Sequence, residues 1–426
     1  MFLSMPSLPD ALGIPSTKVP ISVATFLLYV VPPVACYFIF ALLALTPETR
    51  PARVALWPVV ALLAIRAAVS VDISHGKRDL KFLDGNLLVR VFHLEPLQWA
   101  LDDLLHEFLQ QIMSCIAIHT LSWAFAKNPL VRHPRPVNSS PSIIADAFDL
   151  TTNFRGHGWD WSRGLHVPHV TRPTNRIAFA FLALLSGVAN AFICGGAHRA
   201  IHTFTAGYGS DPKASTIFDE TLPLVARYLR SSAITILCAI TAYSGLQLNY
   251  DLLTVLGVVL FGQDSTQWPP AFDSPWRATS LSEFWSCRWH QFYRFIFLTA
   301  AYPFSVAFGR AGGLIGAFLA SALFHHLTMI TFDSRSEMWR MLVAFGMMGP
   351  GVLAERAYYK STGRKVGGVV GWIWTMTWLL LWGNVMAEGF VKSGMFAQSS
   401  AIDDEISVWV LIERLVLTFD GWLHTI

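Results

Sequence analysis

Long apolar runs alternate along this chain with short polar punctuation, and the runs far exceed the roughly four to eight residues of a buried strand. Residues 21–45 (ISVATFLLYVVPPVACYFIFALLAL), 177–197 and 367–389 can each carry a helix across a bilayer, which takes roughly 17 to 25 residues. Shorter or more interrupted runs occupy 52–71, 108–126, 230–262, 291–308, 312–331, 339–354 and 406–420, and 230–262 is long enough for two crossings. The pattern predicts seven to ten transmembrane helices. Each must be helical, because lipid offers no partner to a bare backbone N–H or C=O. The expected fold class is therefore all-α, a polytopic integral membrane protein.

Composition agrees. Hydrophobic residues make up 53% of the 426 and charged residues 14%, against about 25% charged in an ordinary soluble domain. Sixteen Trp suit the headgroup level, where an amphipathic ring is stable. The five Cys (Cys36, Cys115, Cys194, Cys238, Cys287) are scattered, with no spacing that suggests a zinc site or a disulfide framework. Residues 1–20 lack the basic start and compact apolar core of a cleaved signal peptide. They are expected to be a tail ahead of a single membrane domain, 21–426, targeted by its own first span. No internal repeat is evident, which speaks against transporter folds built from inverted repeats.

The longest polar interval, 127–176, is expected to be a basic loop. It holds Lys127, Arg132, Arg135, Arg155, Arg163, Arg172 and Arg176 against Asp146, Asp149 and Asp160, so seven minus three leaves +4. That is the sign of a cytoplasmic loop, although the net charge of the chain is only +3. Further on, 268–331 is expected to form a catalytic loop and a helical hairpin. The loop is WPPAFDSPWRAT, the first arm is 291–308, the turn is GRAGG (309–313), and the second arm is LIGAFLASALFHHLTMITF.

Two features of that hairpin are costly. His325 and His326 lie deep in an apolar run, where ionisable groups are rare and usually face an internal cavity. His290 opens the preceding arm. If both arms were continuous helices, the chain would rise about 27 Å from residue 290 to 308 and descend about 18 Å to residue 325, leaving His290 and His325 about 9 Å apart in depth. A neutral imidazole there suits one task, removing a proton from a hydroxyl as it attacks an electrophile. His325 is the candidate base, and His290 the candidate second donor or substrate-orienting group. Arg288 and Arg294 are placed to neutralise the phosphates of a cofactor such as coenzyme A. Trp285 and Trp289, at i and i+4, share a helix face and would stack on a ring or line a tunnel.

Other roles fit the same residues. An intramembrane His serves equally as a hydrogen-bonding group between helices, Trp285 and Trp289 as an anchoring belt, and Arg288 and Arg294 as snorkelling cations. His325 and His326 are about 100° apart on a helix, so only one can face a given site. Cys287 could act as a nucleophile in a two-step route. His198 and His202, in HRAIH, have metal-ligand spacing and with His325 and His326 would suggest a membrane di-iron oxygenase.

The stretch FDSPWRATSLSEFWSCRWHQFYR (272–294), followed by SALFHHL (321–327), resembles the wax-synthase-like branch of membrane-bound O-acyltransferases. The family block runs here from Ser280 through Gln291. In its second element Ser321 is kept, Ala322 replaces the usual Gly, His325 falls on the family's histidine, and His326 stands where an acidic residue is common. NFRGHGWDW (153–161) and residues 353–383 are similar to elements of the fungal members.

The resemblance implies a membrane tunnel in which acyl-CoA meets a hydrophobic alcohol at two histidines, His325 as base and His290 in support. Trp285, Arg288, Trp289, Gln291 and Arg294 would then contact substrate or coenzyme A. No permanently bound cofactor or metal is expected, and acetyl-CoA or another acyl-CoA is the co-substrate. The expected partners are that donor, the alcohol and the bilayer, with no nucleic acid, in the endoplasmic reticulum. The fungal-style element points to acetylation of a terpenoid or meroterpenoid hydroxyl in secondary metabolism, with long-chain wax or sterol ester synthesis as the alternative.

Overall fold

The computed structural model describes residues 19–72, 98–133, 142–153, 155–162, 164–205, 215–332, 336–396 and 407–425. Most of the expected tail, 1–18, and the loop residues Arg135 and Arg163 lie outside them. In chain order the principal helices are α1 (Val31–Leu45), α2 (Arg50–Ser70), α3 (Gln98–Phe125), α4 (Ile143–Thr152), α5 (Arg176–Thr205) and α6 (Leu224–Val259). There follow α7 (Arg294–Ala300), α8 (Tyr302–Phe332), α9 (Met338–Gly346), α10 (Met348–Thr362), α11 (Gly368–Lys392) and α12 (Ser407–Leu423). The extended pairing among the described residues amounts to Val19–Pro20 against Val71–Asp72 and an isolated antiparallel bridge between Arg132 and Trp159. The fold class is all-α.

Among the described residues, six helices are long and apolar enough to cross a membrane: Val23–Leu45, Arg50–Ser70, Arg176–Thr205, Leu224–Val259, Tyr302–Ile330 and Gly368–Lys392, with Ile112–Phe125 a shorter apolar helix. The protein is thus an integral membrane protein. Together these seven stand at the lower end of the expected range, and three of the expected runs add no extra crossing, for identifiable reasons. The run 230–262 is one helix, α6, rather than two. The run 339–354 falls across two short helices, α9 and α10, which meet at Met347. The run 291–308 contains only the seven-residue α7 and the first turns of α8.

The chain gathers into two compact units, one of Met1–Leu165 with Phe292–Ala300 and the other of His166–Gln291 with Ala301–Ile426. In the first unit, α1, α2 and α3 bury Phe40, Val60, Ile116 and Trp123 together. The expected loop 127–176 contains a helix that composition concealed. α4 is started by Ser142, whose hydroxyl accepts the Ala145 N–H, and it buries Ala147 and Leu150. Arg132 is paired with Asp149 at 2.7 Å and Asp146 at 3.5 Å, so its charge is spent inside the fold. Within this unit the RGHGWDW element cradles α7: Trp161 packs on Phe295 with ring centroids 4.3 Å apart, and the Arg155 guanidinium lies over Phe292.

In the second unit, α5 and α6 form the most extensive helix pair. Asp251, fully buried on α6, accepts hydrogen bonds from Arg172 (2.7 Å), Ser186 (2.6 Å) and Gln247 (2.9 Å). A buried carboxylate supplied with that many donors is stable despite its desolvation. A second core gathers Leu281, Phe318, Ala322, Met329, Met341, Phe345, Met348 and Val352, walled by Trp374, Trp378 and Trp382 of α11. This aromatic core surrounds the candidate site.

The expected hairpin differs in its first arm. The break in α8 lies at Phe308 and Gly309, where Gly309 has φ +63° and ψ −156°, a conformation open to glycine alone. Beyond it the helix resumes at once, so GRAGG is a single break rather than a five-residue turn. Because residues 289–293 are also non-helical, the continuous helix assumed in the depth estimate does not exist. The placing of the two histidines rests instead on side-chain contacts.

Candidate active site

Ser280 starts the Trp-His block. Its backbone is extended, and its hydroxyl accepts the Glu283 N–H at 3.0 Å, a standard helix start. One α-helical turn, Leu281–Glu283, passes into a π-helical turn, Phe284–Arg288, a geometry that recurs at functional sites. The turn ends at Trp289, where ψ is 150°. Gln291, 4% exposed, closes it, since its amide donates to the carbonyl oxygens of Trp289 at 2.7 Å and Trp285 at 3.1 Å. Gln291 thus terminates the turn from which His290 projects, and its Oε1 is buried with no hydrogen-bond partner among the described residues.

Arg288 is held on two sides. Its Nε donates to Glu283 at 2.7 Å and its Nη1 to the Asp273 carbonyl oxygen at 2.9 Å, while the Asp273 N–H returns a bond to the Arg288 carbonyl oxygen at 2.9 Å. This reciprocal clasp fastens the 268–279 loop to the block. Burial raises the Glu283 carboxyl, but hydrogen bonds from the Thr279 N–H, Arg288 and the Thr279 hydroxyl, with the Arg288 charge, outweigh it and hold the group below the usual carboxylate range. Asp273 also meets the His166 Nε2 at 3.0 Å. Fastening the loop is a use of Arg288 that residue type and spacing did not reveal.

His325 lies on α8 with its Nδ1 2.7 Å from the main-chain oxygen of Ser321. A carbonyl oxygen can only accept, so Nδ1 carries a proton, and in the neutral ring Nε2 is the nitrogen that keeps a lone pair. The ring packs against Phe345, centroids 4.4 Å apart at 30°. Phe345 also meets Trp285 (6.2 Å), which is set edge-on to Phe318 (5.6 Å). A continuous aromatic path therefore connects the two imidazoles. It runs from His290 to Trp289 (5.5 Å), to Phe284 stacked at 17° (5.5 Å), to Trp285 (4.9 Å), to Phe345 and to His325. His290 also sits edge-on to Phe272 at 5.7 Å. His326 is 5% exposed, and its Nδ1 has no hydrogen-bond partner among the described residues.

Of the predicted site residues, Trp285, Arg288, Trp289, His290, Gln291 and His325 all belong to the second unit, and Arg294 opens α7 in the first. The residues that sequence reasoning passed over are Phe345, hidden in an apolar run, and Glu355, which follows the apolar run 339–354. Glu355 is 7% exposed and accepts the N–H groups of Leu281 (2.6 Å) and Ser282 (2.9 Å) and the Trp374 indole N–H (3.0 Å). An acidic residue directly abutting an apolar run was the available signal. The HRAIH pair fares differently. His198 directs its Nε2 toward the Met395 carbonyl oxygen at 3.4 Å and its ring toward Phe396. Among the described residues no three His, Cys, Asp or Glu side chains come together as a metal site.

A polytopic helical membrane protein with two histidines on one aromatic path is the class that fold and site define. Residues 268–347, which hold both histidines, match the model of the "Membrane bound O-acyl transferase family", so the resemblance read from the Trp-His block is borne out. Two relatives extend it. A probable long-chain-alcohol O-fatty-acyltransferase 9 of Arabidopsis thaliana is 25% identical over 184 residues, 40% of this chain and 53% of the relative. An O-Mevalon transferase, yanI, of Aspergillus niger is 31% identical over 166 residues, 37% of this chain and 36% of the relative. The chain thus spans about half the length of the first relative and about a third of the second.

Proposed function

We propose that the protein is a membrane-embedded O-acyltransferase, with 21–426 acting as one catalytic domain that transfers an acyl group from acyl-CoA to a hydroxyl of a hydrophobic alcohol. The observation that carries the reading is the Nδ1–H to Ser321 carbonyl bond of His325, which in the neutral imidazole leaves Nε2 as the proton acceptor. Support comes from the family match across both histidines and from two relatives whose names both specify transfer to oxygen.

The mechanism is direct attack. Nε2 of His325 takes the hydroxyl proton as the alcohol oxygen adds to the thioester carbonyl. The tetrahedral intermediate collapses, the C–S bond breaks, and coenzyme A leaves as the thiolate, which recovers the proton from His325 as free thiol. His290 donates toward the oxyanion or orients the alcohol, and Trp285 and Trp289 line the approach. Gln291 and Arg294 contact substrate or coenzyme A, and Arg288 does so from its clasp. No permanently bound cofactor is needed.

We take the donor to be acetyl-CoA and the acceptor a terpenoid or meroterpenoid alcohol, in the endoplasmic reticulum membrane. The fungal-style RGHGWDW element and the Aspergillus relative favour this. The Arabidopsis relative favours a second reading, fatty-acyl transfer to a long-chain alcohol. Membranes containing the protein, given labelled acetyl-CoA or palmitoyl-CoA with a panel of terpenoid and fatty alcohols, separate the two. Labelled acetyl ester of a terpenoid is expected. Fatty ester alone would establish the second reading, and no ester with any pair would refute both.

A further inference from the structure

Glu355 is a buried carboxylate whose bonding is unlike that of the other buried acids of its unit. Asp251 is met by an Arg and Glu388 by a Lys as well as by neutral donors, whereas Glu355 accepts two consecutive backbone N–H groups and an indole N–H. Those backbone groups belong to Leu281 and Ser282, the first residues of the turn that carries Trp285 and delivers His290. The opening N–H groups of a helical segment have no partner inside it, and their partial positive charge favours an anion. Glu355 supplies that anion from α10, and the Trp374 indole ties it to α11.

The fit around this contact is tight. A Cβ placed on Gly351, one turn before Glu355, would lie 2.6 Å from Leu281 Cδ1, and one on Gly371 would lie 2.3 Å from the Thr279 carbonyl oxygen. Leu281 thus packs closely on α10, and the Thr279 carbonyl oxygen just before the turn packs closely on α11. The same stretch of chain also reaches the other histidine, because Phe345, ten residues before Glu355, holds the ring of His325. One segment, 345–355, therefore touches both halves of the site.

We propose that Glu355 is a positioning residue, resting on the acyl-transfer reading above. Its carboxylate sets the register of the Leu281–Arg288 turn, and so the placement of Trp285 and His290 relative to His325. It touches no reacting atom and acts through the turn.

The test uses the full-length protein in detergent or membranes and has two readouts. One is alkylation of Cys287, which lies in the turn, by a maleimide, with each cysteine followed by peptide mass spectrometry. The other is the division between kcat and KM in ester formation. Glu355→Gln keeps the shape but turns an amide donor toward a backbone donor. Cys287 should label about tenfold faster, the factor that loss of a charge-assisted hydrogen bond is worth, while the buried Cys115 and Cys238 keep their parent rates. kcat should fall about tenfold with KM for acyl-CoA nearly unchanged, the pattern of a group misplaced at the reacting centre. Glu355→Asp, which restores the charge one methylene short, should fall between parent and Gln in both readouts, and it decides the matter if the Gln variant does not accumulate. Parent-like labelling and kcat in these variants would overturn the proposal. If the parent forms no ester, the acyl-transfer reading fails, and the labelling result alone decides whether Glu355 holds the turn.

Discussion

The His325 imidazole lies against the Phe345 ring, centroids 4.4 Å apart and planes 30° from parallel, and the Ser321 carbonyl oxygen holds the same imidazole at its Nδ1. Removing the imidazole should therefore remove the base and leave the fold. His325→Ala should lower turnover by at least the roughly 10²-fold of a positioned general base. Ester formation per mole of folded protein measures it, and near-parent turnover would end the proposed mechanism.

Phe345→Leu keeps the position apolar and close in volume, at a cost under about 1.5 kcal/mol, but removes the ring against which His325 packs and which Trp285 meets at a tilt. We expect kcat to drop several-fold with thermal stability nearly retained. A parent-like kcat would mean that ring contact does not set the imidazole.

The clasp of Arg288 predicts coupling. Arg288→Lys loses the fork that serves Glu283 and the Asp273 carbonyl oxygen together. Arg288→Lys and Glu283→Gln should each lower the melting temperature, and the double variant should lose clearly less than the sum, because both remove one interaction. Strict additivity would place Arg288's main partner elsewhere.

The same pair sets a pH dependence. The Glu283 carboxyl is held below its ordinary range, so the folded state binds its proton less readily than the unfolded chain does. Its stabilising contribution is complete above the unfolded value, near about 4.3, and is lost as pH falls through the lower folded value. Between pH 7 and pH 3 the parent should lose more thermal stability than Glu283→Gln does. Parallel curves would contradict this.

Gly156 has φ +67°, and a Cβ there would stand 2.3 Å from the Trp161 ring. Gly156→Ala combines backbone strain of about 1–2 kcal/mol with displacement of the indole that packs on Phe295. Stability should fall markedly, whereas Gly164→Ala, also at positive φ but with open space around it, should cost less. Equal losses would show that strain alone matters and that the Trp161 contact does not.

Much of this protein was legible in its sequence because the governing physics is local. A run of some twenty apolar residues has to be a helix once it is in lipid, whatever its neighbours do, so the class and most of α1, α2, α5, α8 and α11 follow from hydropathy alone. The Trp-His block and the later His325 also stand in the sequence as a pattern of residue types. Tertiary structure decided the rest, because the deciding partner lies far along the chain. Helix α4 forms inside a polar interval by burying Ala147 and Leu150 and pairing Asp149 with Arg132. The chain breaks α8 at Phe308 and Gly309, and residues 289–293 leave the helix, so a depth sum over ideal helices fails. Arg288 looks like a free cation until Asp273 and Glu283 close on it, and the residues around Glu355 do not show that its carboxylate meets the Leu281 and Ser282 N–H groups, 74 and 73 positions away. Hydropathy reports whether a side chain prefers lipid. It does not report which distant donor that side chain will find.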